Sequence, residues 1–168
     1  MSTAPTPSPC GSRTSAVLGW IIFGLAALGL VCSIITLRNH YATSESDYCE
    51  VAANFNCDIV NRSIYSTIDF ARAAGSKVKV PVAAIGIAGY GLLMGLSFFG
   101  KRSRCASLMI LLGALVGMGF ALRLTYIEKY VLFTWCIFCL TSQIVIALIL
   151  LLSIWQMVRV WRGPACTN

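Results

Sequence analysis

The sequence is short of charge. Only 11% of its 168 residues are Asp, Glu, Lys or Arg, against roughly 25% in soluble globular domains, so a conventional water-facing surface around a buried core is excluded. Histidine occurs once, at His40. A zinc site, which gathers four Cys or His ligands, is therefore not expected, and no flavin or other metal motif is present. Acidic residues number six against 13 basic ones, a formal net charge of +7. The basic residues sit mostly at the ends of apolar runs with no aromatic-basic surface motif beside them, so nucleic acid is not an expected partner.

What the chain has instead is apolar length: 58% of it is hydrophobic. Four uncharged or nearly uncharged stretches, about 14–37, 80–100, 105–127 and 131–158, come close to or exceed the roughly 20 residues that cross the hydrocarbon of a bilayer. The expected fold is all-α, an integral membrane four-helix bundle embedded in lipid and monomeric. One sizeable hydrophilic segment, the loop 38–79, joins the first two spans. Residues 1–13, with Pro5, Pro7 and Pro9, read as a disordered tail, and 159–168 as a second tail. The first apolar run is too long for the core of a signal peptide and reads as an uncleaved helix.

Short loops rich in Lys and Arg stay cytoplasmic, and the connector Lys101-Arg102-Ser103-Arg104 is the densest such cluster. Both termini are then cytoplasmic, and the 38–79 loop faces the periplasm or exterior, or the lumen if the membrane is that of the endoplasmic reticulum. The same orientation puts Cys49, Cys57, Cys136 and Cys139 on the side where disulfides persist.

Eight cysteines are present. Cys10, Cys105 and Cys166 fall in cytoplasmic tails or at a cytoplasmic helix end, and Cys32 falls inside the first span; these read as inert thiols. Cys136-Ile137-Phe138-Cys139 stands near the outer end of the last span, where i,i+3 spacing puts both sulfurs on one helix face and a helix N-terminus stabilises a thiolate. Thr134 is a candidate cap for that turn. Cys49 and Cys57 are eight residues apart in the outer loop, a spacing that suits a mobile disulfide able to meet a soluble thiol on one side and a second pair on the other. Two structural disulfides stapling the loop of a claudin- or tetraspanin-like adhesion protein would use the same four residues.

With these residues in place, the sequence resembles the vitamin K epoxide reductase family over about residues 14–158. The shared pattern is a first-loop cysteine pair (Cys49, Cys57), a Ser or Thr soon after it (Ser63), and a CxxC entering the last core helix (Cys136, Cys139). The resemblance implies that Cys139 is the redox centre beside a quinone of ubiquinone, menaquinone or vitamin K type and Cys136 its exchange partner. It also implies that Cys57 shuttles to Cys136, that Cys49 meets a thioredoxin-fold protein, and that the Ser63 hydroxyl steadies developing negative charge. Vertebrate members place an Asn near the start of the second span and a Tyr four residues after the CxxC; the equivalents here are Val82 and Gln143. The segment Val80 to Gly86 is similar to bacterial members that oxidise a DsbA-like or thioredoxin-like protein and reduce a membrane quinone. No fused thioredoxin domain is present, so a separate partner is expected.

Phe133, Trp135 and Phe138 flank the CxxC as candidate walls of a quinone pocket, and Val82 and Gly86 are further candidate contacts; an interfacial aromatic belt is the other account of the three aromatics. Ser63 to Phe70 has the amphipathic spacing of a short interfacial helix. Arg123, a charge at the outer end of an apolar run, reads as snorkelling or as paired with Glu128.

Overall fold

The computed structural model describes residues 13–42, 55–69, 79–99 and 104–162. Cys10, Cys49 and Cys166, most of both tails, and the basic connector before Arg104 lie outside them. Four long helices carry the apolar stretches: α1 (Arg13–Tyr41), α3 (Val82–Phe99), α4 (Arg104–Ile127) and α5 (Ile137–Arg162). Apolar sequence at membrane depth takes this form because a helix satisfies every backbone polar group within itself. Three of them are long and apolar enough to cross a membrane, and α3 is a shorter apolar helix, spanning about 27 Å at 1.5 Å per residue. Arg38 and His40 occupy the last turn of α1, at the negative end of its dipole.

The helices form a ring in which α1 packs between α3 and α5, and α4 closes the ring between α5 and α3. The shared core is Ile22 and Ala26 from α1, Tyr90 and Leu93 from α3, Ile110 and Ala114 from α4, and Val145, Ile146 and Ile149 from α5. The outer faces are just as apolar: Trp20, Leu92, Val116 and Leu151 are each more than half exposed. In water such a surface would aggregate; in a bilayer it faces lipid. The all-α class expected of the sequence is the class observed.

Two glycines set how closely α1 and α3 approach. A Cβ on Gly29 would fall onto the ring of Tyr90, and one on Gly86 would lie 2.8 Å from the Ser33 Oγ. Seated over Gly29, the Tyr90 hydroxyl donates to the Ser142 carbonyl at 2.9 Å and meets the Ser142 Oγ at 2.8 Å. Three helices are thereby fixed around one side chain.

Between α1 and α3 the described part of the loop begins with α2 (Cys57–Arg62), capped by Asn56, whose side chain accepts from the Ile59 amide at 3.1 Å. A single 3-10 turn, Ile64–Ser66, follows. The amphipathic helix expected over 63–70 is not formed. Thr67–Asp69 is instead a strand, β1, paired antiparallel with β2 (Lys79–Pro81) in the register Thr67 to Pro81, Ile68 to Val80 and Asp69 to Lys79. Three residues hold too little periodicity to tell a strand from a helical turn, and pairing with β2 decided it.

The entry to the last helix also differs from expectation. The chain leaves α4 through a wider π-type turn, Glu128–Leu132, then reverses at Phe133, which is left-handed at φ 51°. Thr134 to Cys136 is not helical, and α5 starts only at Ile137. Cys136 thus stands just ahead of the helix, its carbonyl accepting from the Leu140 amide at 3.0 Å. Thr134 does not cap the helix: its hydroxyl donates back to the Leu132 carbonyl at 3.2 Å.

Candidate functional site

The CxxC lies where the loop meets the bundle. Phe55 and Trp135 form a parallel β-bridge, and the Asn56 amide donates to the Trp135 carbonyl at 3.2 Å. This contact pins the start of α2 against the residue preceding Cys136. Cys57, the first residue of α2, and Cys136 are both fully buried, 0% exposed, in one apolar cluster with Val60, bordered by Leu132, Phe138 and Cys139. Two cysteines 79 positions apart in sequence thus share a pocket closed to solvent. Cys57 is disulfide-bonded, whereas Cys136 and Cys139 are free thiols. The hydrogen bond from the Cys139 thiol holds Cys136 below the ordinary thiol range, against the opposing effect of burial.

Beneath this cluster a cavity of about 550 Å³ runs into the bundle between the four long helices. Drug-sized and cofactor-sized ligands occupy roughly 300–1,000 Å³. Its outer end is bounded by Ser63, His40, Phe138 and Cys139, and its deeper, mostly apolar part by residues such as Leu93, Met109 and Ile146. Val82 and Gly86 line it from α3. The Ser63 hydroxyl donates to the Val60 carbonyl at 2.8 Å, closing the end of α2 while its residue borders the cavity.

Other sequence candidates lie elsewhere. Phe133 is 76% exposed and does not line the cavity; its structural part is the left-handed reversal. Trp135 is half-buried in the bridge to Phe55, outside the cavity lining. Gln143 is one layer removed: its Oε1 accepts from the hydroxyl of Thr125, which does line the cavity. Cys49 is outside the described residues.

Two residues at the site carry roles that sequence reasoning missed. His40 reaches from the end of α1 to the Asn61 carbonyl, 2.5 Å from its Nδ1, tying α2 to the bundle. Glu128 is 2% exposed, and its Oε2 accepts from the Cys136 amide at 3.5 Å. It therefore does not pair with Arg123, which is exposed; the carboxyl is turned the other way, onto the CxxC. The signal was available, since Glu128 is the sole acidic residue beyond position 69 and lies in an apolar run, where ionisable groups are expensive.

Among the described residues no group of His, Cys, Asp or Glu is arranged to hold a metal ion. The arrangement suits thiol chemistry: a loop cysteine, two bundle cysteines in mutual contact, and a mostly apolar cavity against the second of these. No curated protein matches the chain. The sequence pattern of the vitamin K epoxide reductase family, however, matches residues 20–154, most of the bundle and the loop between its first two long helices. The chain belongs to that family, and is a multi-pass membrane oxidoreductase.

Proposed function

We propose that the protein reoxidises a separate thioredoxin-fold protein, DsbA-like or thioredoxin-like, and passes the electrons to a membrane quinone, supporting disulfide formation. One observation carries this reading: Cys57 and Cys136 share a single buried cluster, with Cys139 bordering both it and the cavity. Sulfurs must touch to exchange, and this is the contact that a relay needs.

Cys49 is the proposed disulfide partner of Cys57. Attack of a partner thiolate on Cys49 releases Cys57, and the partner's second thiol then frees Cys49 and leaves with its own disulfide. The Cys57 thiolate attacks Cys136 of an oxidised Cys136/Cys139 pair, displacing Cys139. Cys49 next attacks Cys57, restoring the loop disulfide and leaving a dithiol at Cys136 and Cys139. That dithiol gives two electrons and two protons to the quinone, which becomes the hydroquinone. Each ~30 mV of potential gap in such a two-electron couple drives the relay by about 1.4 kcal/mol.

Ser63, Val82, Gly86 and Phe138 are the proposed contacts of the quinone, with Gln143 acting through Thr125. Orientation with the loop toward the periplasm or exterior, in a bacterial inner membrane, completes the reading. The purified protein, given a reduced thioredoxin-fold donor, is expected to reduce ubiquinone or menaquinone and to leave vitamin K epoxide unreduced. Stopped assays with the three acceptors side by side check this; turnover with the epoxide alone would contradict it.

A further inference from the structure

We propose that Glu128 is the catalytic base of the quinone-reducing step, taking the proton of the Cys139 thiol and passing it to a quinone oxygen. The proposal rests on the thiol-to-quinone reading above and adds a residue to it. Oxidation of two thiols by a quinone moves two protons as well as two electrons. As the Sγ–Sγ bond between Cys136 and Cys139 forms, two S–H bonds break and two O–H bonds form on the reduced ring. The cavity is mostly apolar, so a proton carrier must be supplied by the protein.

Glu128 meets the geometric requirements. It lines the same cavity as Cys139, in the π-type turn that brings the chain back to the CxxC. Its Oε2 accepts from the Cys136 amide at 3.5 Å, so the carboxyl faces the CxxC. Its Oε1 is buried and has no hydrogen-bond partner among the described residues. Cys139 lines the cavity together with this carboxyl. A buried carboxyl oxygen without a partner is costly, and a group that enters and leaves the cavity is a natural occupant for that position. Cys32 and His40 of α1, Tyr65 of the loop and Tyr90 of α3 are the other titratable groups lining the cavity. His40 is committed to the Asn61 carbonyl and Tyr90 to Ser142, Tyr65 is 42% exposed, and Cys32 lies inside α1.

Glu128→Gln keeps an oxygen for the Cys136 amide and loses the base. Two half-reactions separate the roles: reduction of the oxidised protein by a reduced thioredoxin-fold donor, and reoxidation of the reduced protein by ubiquinone or menaquinone. The variant is expected to slow the second about 100-fold and to leave the first within about twofold, with Glu128→Asp recovering part of the loss. Quinone reoxidation by Glu128→Gln at near wild-type rate would overturn the proposal, as would equal loss in both half-reactions, the mark of a merely structural residue. Wild-type protein that reduces no quinone would instead overturn the reading beneath it.

Discussion

Cys139→Ala is expected to abolish quinone reduction, lowering it by at least about 1,000-fold, since a removed nucleophile has no substitute. The same protein should still fold and insert. Cys139 is half-buried in the first turn of α5, and the bundle is held by the Ile22, Ile110 and Ile149 core, one layer deeper. Loss of one sulfur at that position costs about 1 kcal/mol or less, well under the cost of emptying a core site. Turnover and thermal unfolding in the same detergent separate the two effects. Residual activity near wild type would mean that the cavity wall at Cys139 is not where electrons leave the protein.

Cys57→Ser should produce a different failure. Cys57 is fully buried, so a soluble partner has no route to it and must act through a thiol nearer the surface. With Cys57 gone, Cys49 lacks the neighbour that would resolve an intermolecular bond. Its thiolate attacks the disulfide of an oxidised thioredoxin-fold protein and remains joined to it, the partner's displaced thiolate taking up a proton. Steady-state turnover is expected to fall to background while a mixed disulfide accumulates, visible on a non-reducing gel. Mass spectrometry should place the attachment at Cys49. Attachment at Cys10, Cys105 or Cys166, or undiminished turnover, would remove Cys49 and Cys57 from the path.

How much of this was legible in the sequence follows from how local each signal is. The apolar runs translated into long helices because nothing but a helix or a closed barrel crosses lipid, and periodicity was not needed to place them. The CxxC and the first-loop cysteines stood out by residue type and spacing, and the structure brings Cys57 and Cys136 into one cluster. The start of α5 was not legible. It depends on Phe133 in a left-handed conformation, a state that costs a non-glycine residue about 1–2 kcal/mol and that an aromatic side chain does nothing to announce. Ile64 and Ile68 likewise suggested a helix face, while the ladder to Lys79–Pro81 was settled by a partner more than ten residues away. Of the two accounts of Arg123, the pairing with Glu128 failed for a related reason. Arg123 and Glu128 are near in sequence and opposite in charge, yet the turn beginning at Glu128 swings its carboxyl toward Cys136, a direction that charge pattern alone does not encode.

The relay depends on transfer between Cys57 and Cys136, and the most direct test isolates that pair. In a Cys49→Ser, Cys139→Ser double variant, mild oxidation should join Cys57 to Cys136, and digestion under non-reducing conditions should yield the two peptides as a single disulfide-linked species from most of the protein. Recovery of both residues as separately alkylated thiols, with no linked peptide, would contradict the account.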